Sequence, residues 1–111
     1  MRYEEHCKEC LEKLGNEWGK VHKWLDAMAS EYGLEYHRKV RHHKQGIEKV
    51  REMWGDEAAK AAELHIASDY GGSFIPDEYD YYMYGDFLMV RGYDANPSDN
   101  PEIQKRKWKG P

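Results

Sequence analysis

The chain has no apolar run approaching the roughly 18 residues that a membrane span requires, and Met1-Arg2-Tyr3-Glu4-Glu5 lacks the apolar stretch of a secretion signal. Two cysteines are too few for a disulfide framework, so a cytoplasmic protein with reduced thiols is expected. Basic excess is missing as well: the formal charge is -4, which argues against a dedicated nucleic-acid binder and against attachment to acidic lipid. Ser30, Ser68, Ser73 and Ser98 lack the glycine-framed turn that exposes a serine nucleophile. No phosphate-binding glycine loop and no internal repeat occur.

What remains is a chain of one-domain length. Its apolar bulk is carried largely by nine Tyr and four Trp, and its 34% of charged residues gives a well-solvated surface. Residues 1–92 read as a single helical domain and 93–111 as a polar loop with a basic tail. The tail, Lys105-Arg106-Lys107-Trp108-Lys109, reads as a short solvated terminus.

Apolar periodicity predicts an all-α bundle of four main helices. The first runs from about Tyr3 to Leu14, with Tyr3, Cys7, Cys10, Leu11 and Leu14 inward and Gly15 as its stop. The second runs from about Asn16 to Tyr32 on a stripe of Trp18, Val21, Leu25, Met28 and Tyr32. The third, about Leu34 to Trp54, carries a seam of Tyr36, Val40, His43, Ile47, Val50 and Trp54. The fourth runs from Glu57 to about Tyr70, and its face of Ala58, Ala61, Ala62, His65, Ser68 and Asp69 is built mostly of small residues. Beyond Pro76 two readings compete. One is a fifth helix to about Val90; the other is a hairpin, Tyr81 to Tyr84 and Phe87 to Val90, around Gly85-Asp86. The proline-acid entry tips the balance toward the helix.

Two His-x-x-x-Asp pairs carry the chemistry. His22 with Asp26, and His65 with Asp69, each set an imidazole and a carboxylate one helical turn apart on a common side. Such a pair forms either a charge-assisted hydrogen bond or part of an ion site. Imidazole with carboxylate suits a transition metal ion such as zinc, iron or manganese. His43 adds a ligand from a third helix, so the expected metal set is His22, Asp26, His43, His65 and Asp69. By helical geometry His43 faces in, His42 lies toward the flank, and Arg38 and Arg41 lie outside. Arg38, Arg41 and His42 form either a solvated basic face or an anion-binding rim beside the inner site.

His6-Cys7-Lys8-Glu9-Cys10 contains one CxxC, half of a zinc site without its second half, and reads as buried thiols. Residues 77–86 set Asp77, Glu78, Asp80 and Asp86 among tyrosines. Tyr79, Tyr81, Tyr82 and Tyr84 there could dock a basic partner protein, or close the core with the acids in water.

The order of these features resembles a family of small bacterial and phage proteins classed as a domain of unknown function. The residues that carry the likeness are Tyr3-Glu4-Glu5-His6-Cys7, His22-Lys23-Trp24-Leu25-Asp26, His37-Arg38, Arg41-His42-His43 and Gly46-Ile47. His65, Asp69, Ile75 and Pro76 follow more weakly. The resemblance implies a compact helical domain in which the polar positions belong together, and it implies no activity. Two functional expectations result. One is a metal-binding domain whose chemistry, if it is an enzyme, is metal-assisted hydrolysis. The other is a small phage- or mobile-element-type interaction protein that binds a host protein through the tyrosine-rich segment, its inner histidines forming a structural polar network.

Overall fold

Helix α1, Tyr3–Leu14, forms with the expected bounds. Glu4 and Glu5 favour its positive N-terminal end. Gly15 closes it in the left-handed conformation (φ 79°), its N–H donating to the Leu11 carbonyl. The inward face is rotated from the one expected: His6, Cys7 and Cys10 are buried, whereas Leu11 is 49% exposed. A computed structural model of the chain describes residues 2–31, 37–70, 72 and 74–81.

The second expected helix is shorter at both ends. The chain enters it through Trp18, a non-glycine residue in the left-handed region (φ 53°, ψ 41°) whose N–H donates to Asn16 Oδ1 at 2.9 Å. Helix α2 spans Gly19–Asp26 and buries Val21, His22 and Leu25. Residues 27–28 form a turn and 29–31 are helical again, while Tyr32 falls outside the described residues.

The long third helix is two helices: α3, Arg38–Arg41, and α4, Lys44–Trp54. His43 adopts extended backbone (φ -157°, ψ 174°), and its Nδ1 accepts the Gly46 N–H at 3.0 Å, so a histidine caps α4. The Lys44 N–H donates to the Pro76 carbonyl at 2.8 Å, a tertiary bond that replaces a helical one. Gly46 allows the break: a Cβ there would overlap the Arg41 carbonyl. Past the break the expected seam holds, with Ile47 and Val50 buried.

Gly55, at φ 95°, is the one residue between α4 and helix α5, Asp56–Asp69. Helix α5 is buried on several sides, through Ala58, Ala59, Ala61, Ala62, Ile66 and Ala67, and packs against α1, α2 and α4. Alanines allow those close approaches and leave room for the rings of His6, His22 and His42. After Pro76, Asp77 and Asp80 cap one another reciprocally, each N–H meeting the other's carboxylate, and residues 78–81 are helical. The helix-or-hairpin alternative for 82–90, together with Tyr36, Tyr82, Tyr84 and the basic tail, lies outside the described residues. Every regular element among the described residues is a helix, and the fold is all-α. No described helix is long and apolar enough to cross a membrane.

In an ordinary helix Gly46→Ala would gain about 1 kcal/mol of propensity. Here the Arg41 carbonyl reverses the sign. A net loss of about 2 kcal/mol or more is expected, read as a lower denaturant midpoint at unchanged m-value. Unchanged stability would show that the Arg41 backbone can retreat.

Candidate metal centre

Helix α5 is the spine of the site. Its small residues let the other helices approach, and it places His65 at its middle and Asp69 at its last turn, 1% and 6% exposed. Helix α2 presents His22 and Asp26, α1 brings His6, and the α3 region supplies His37, Arg38 and His42. The break before α4 aims His42 inward, fully buried, where a continuous helix would have turned it to the flank.

His42 Nε2 and His65 Nε2 lie 3.2 Å apart. Asp26 Oδ1 is 3.2 Å from the first and 3.3 Å from the second, so the three atoms form a nearly equilateral triangle. Across the shared His42–His65 edge, Asp69 Oδ2 lies 3.4 and 3.6 Å from the same two nitrogens. His37 Nε2 also reaches Asp26 Oδ1, at 3.3 Å. That oxygen therefore faces three ring nitrogens. A tetrahedral ion with bonds of about 2.0–2.1 Å spaces its ligand atoms by roughly 3.3–3.4 Å. Asp26, His42 and His65 form a group that could hold such an ion.

The electrostatics favour positive charge at this centre, on a protonated His42 or on a bound ion. Burial would raise the Asp26 carboxyl, but the close ring nitrogens of His37, His42 and His65 outweigh it and hold the group far below the usual carboxylate range. Burial likewise opposes ionisation of Asp69, and His42 and His6 reverse it. Burial disfavours a charged His42, yet Asp26 and Asp69 together raise it. Burial pushes His65 down to about 3 against the pull of Asp26, with the His42 charge adding to the effect, so His65 is neutral. Among the described residues, only imidazoles pair with Asp26. The Asp26 side chain is 35% exposed and is the site's opening to solvent.

On the other side of His65, its Nδ1 lies 2.9 Å from His22 Nδ1, and His22 Nε2–H donates to the Glu17 carbonyl at 2.9 Å. The His6 ring stacks on His65 with centroids 3.7 Å apart, and His6 Nε2 lies 3.4 Å from Asp69 Oδ1.

The structure brings His22, Asp26, His65 and Asp69 together as expected, but not His43. His43 caps α4, donates from Nε2 to the Val40 carbonyl at 3.1 Å and sets its ring edge-on to Tyr81. His42 takes its place because the helix break shifts the register. Arg38, expected outside, is 1% exposed, with its guanidinium over the Tyr70 ring and 4.0 Å from Asp69. Arg41 lies on Trp24 and donates to its carbonyl at 2.7 Å. Arg38, Arg41 and His42 therefore do not share one surface. Tyr81 is buried too: its hydroxyl donates to the His42 carbonyl at 2.6 Å and accepts from Tyr70 at 2.7 Å. Of the tyrosine strip, Tyr79 is the exposed member among the described residues, at 55%. His6 and His37 were missed. For His6 a signal existed, since it lies one turn before Cys10 on the buried face of α1. Cys7 and Cys10 are free and buried, as expected.

These features define an all-α domain built around a buried histidine–aspartate centre. Residues 1–85 match the family described as Domain of unknown function (DUF6915), and the chain belongs to that family. No curated protein and no solved structure matches it.

The exchange of roles between the adjacent histidines has a measurable consequence. His43→Ala removes a helix cap, worth about 1 kcal/mol. His42→Ala strips a donor from two carboxylates and should cost about 2–3 kcal/mol, reduced from the fully buried case because Asp26 is partly exposed. Denaturant titration of both variants checks the order, and equal losses would contradict the assignment.

Proposed function

We propose that this protein binds a transition metal ion at Asp26, His42 and His65, with Asp69 as a neighbouring carboxylate and the fourth position open to water. The triangle of donor atoms at 3.2–3.3 Å carries the reading, because it matches the ligand spacing of a tetrahedral ion. The surroundings support it. Two ionised carboxylates beside a neutral His65 favour positive charge at the centre, which a protonated His42 or a bound ion can supply, and three ring nitrogens crowd one carboxylate oxygen. Imidazole and carboxylate donors select zinc, iron or manganese over calcium or magnesium. The ion would supply Lewis-acid activation of water, the basis of metal-assisted hydrolysis, with access from the Asp26 side.

Elemental analysis of untagged protein purified without chelator should find about one such ion per chain. At a hundredfold excess over the dissociation constant the ion contributes about 2.7 kcal/mol, so chelation should lower the melting temperature by roughly 10 °C. His65→Ala and Asp26→Asn should abolish both the content and the shift. A chain that purifies without metal, and whose melting ignores added zinc, iron(II) and manganese, would overturn the proposal and leave the histidines as a hydrogen-bonded core.

A further inference from the structure

His6, His22 and His65 also bring three ring nitrogens within 4.8 Å of one another, which invites assignment as a second ion position. The geometry of the His22–His65 contact argues against it. The rings are within 20° of parallel, and their centroids are 5.1 Å apart around an N–N distance of 2.9 Å. That leaves only the two ring radii, so the two nitrogens meet head-on along their lone-pair axes. Head-on nitrogens at this distance enclose a proton in a linear hydrogen bond. An ion bound to both would sit off that axis, where neither lone pair points.

The direction of the proton follows from the far side of His22. Its Nε2 faces the Glu17 carbonyl, which only accepts, so Nε2 carries the hydrogen. In a neutral ring Nδ1 is then an acceptor, and the proton between the rings belongs to His65 Nδ1. This fixes the His65 tautomer with a bare lone pair on Nε2, the atom that faces Asp26, His42 and Asp69.

We propose that His22 is a positioning residue of the ion centre, one that accepts the Nδ1 proton of His65 and so holds Nε2 as a ligand. This rests on the metal reading above. It matches a recurrent arrangement in which a ligating histidine donates its other N–H to an outer partner. Local backbone serves the same end. Trp18 occupies the left-handed region that non-glycine residues rarely adopt, and the turn it makes presents the preceding Glu17 carbonyl to His22. His6, stacked on His65 within 18° of parallel, holds the ring plane.

The test uses the full chain loaded with zinc and labelled with 15N at histidine. Long-range proton–nitrogen spectra should show His65 protonated at Nδ1 with Nε2 shifted by metal, and His22 protonated at Nε2. A His65 protonated at Nε2, or a His22 protonated at Nδ1, overturns the proposal without any variant. His22→Phe, which keeps a ring but loses the acceptor, should weaken zinc binding by about 10- to 100-fold. His22→Gln, whose amide oxygen can accept the proton, should recover most of that loss. Wild-type affinity in His22→Phe, or no recovery in a folded His22→Gln, overturns it. So do two ions per wild-type chain falling to one in His22→Phe, which would make His22 a ligand. A wild-type chain that binds no zinc defeats the metal reading itself and is seen before any variant is made.

Discussion

An ionised carboxylate withdrawn from water costs several kcal/mol unless donors replace its lost hydration, and Asp69 is withdrawn almost completely. Much of the architecture follows from meeting that demand. His6 reaches Asp69 from α1, His42 from the break between α3 and α4, and Arg38 from α3. Each donor needs a place beside α5, and the alanines of that helix provide it. Had that face carried leucines, the rings could not approach. The same constraint explains a buried arginine in a modest core: Arg38 lies between Asp69 and the Tyr70 ring, the two kinds of surface that stabilise a guanidinium out of water.

The break at His42-His43 is the second structural decision, and it is held from outside the helix. The Lys44 N–H goes to Pro76, the Gly46 N–H goes to the His43 ring, and the His42 carbonyl takes the Tyr81 hydroxyl. The segment after α5 therefore takes part in shaping the site. Tyr81 does not touch the histidine–aspartate centre, yet it fixes the backbone of a residue that does.

This is also where sequence reading succeeds and fails. Helices α1, α4 and α5 were legible because one-sided burial imposes a three-four spacing on apolar residues, and His65 with Asp69 stood out against alanine neighbours. The exchange of His42 for His43 was not legible, because periodicity assumes an unbroken helix and histidine is not a usual N-cap. Gly46 was visible, but its reason lay in the break itself: the approach of the Arg41 carbonyl. Asp26 was paired with His22, one turn away on the same helix, whereas the histidines that meet it lie 11 to 39 positions further along the chain. His37 was passed over for the same reason, since its partner sits on another helix. Tyr81 shows the limit from the other side: composition left a docking surface and a core-closing role both open, and its two buried hydroxyl partners fit the second.

Cys7 and Cys10 are both free, so neither closes a loop in this chain. The polar centre does so instead. It joins α2 to α5 and the α3–α4 break to α5, tying positions 23 and more residues apart at a single point. In polymer terms that junction is a cross-link of the folded chain alone: it dissolves on unfolding, so it leaves the freedom of the unfolded chain untouched, where a disulfide would reduce it. Unlike a covalent bridge, it depends on protons, and on any ion held there, so solution conditions rather than redox state govern how firmly the chain is tied.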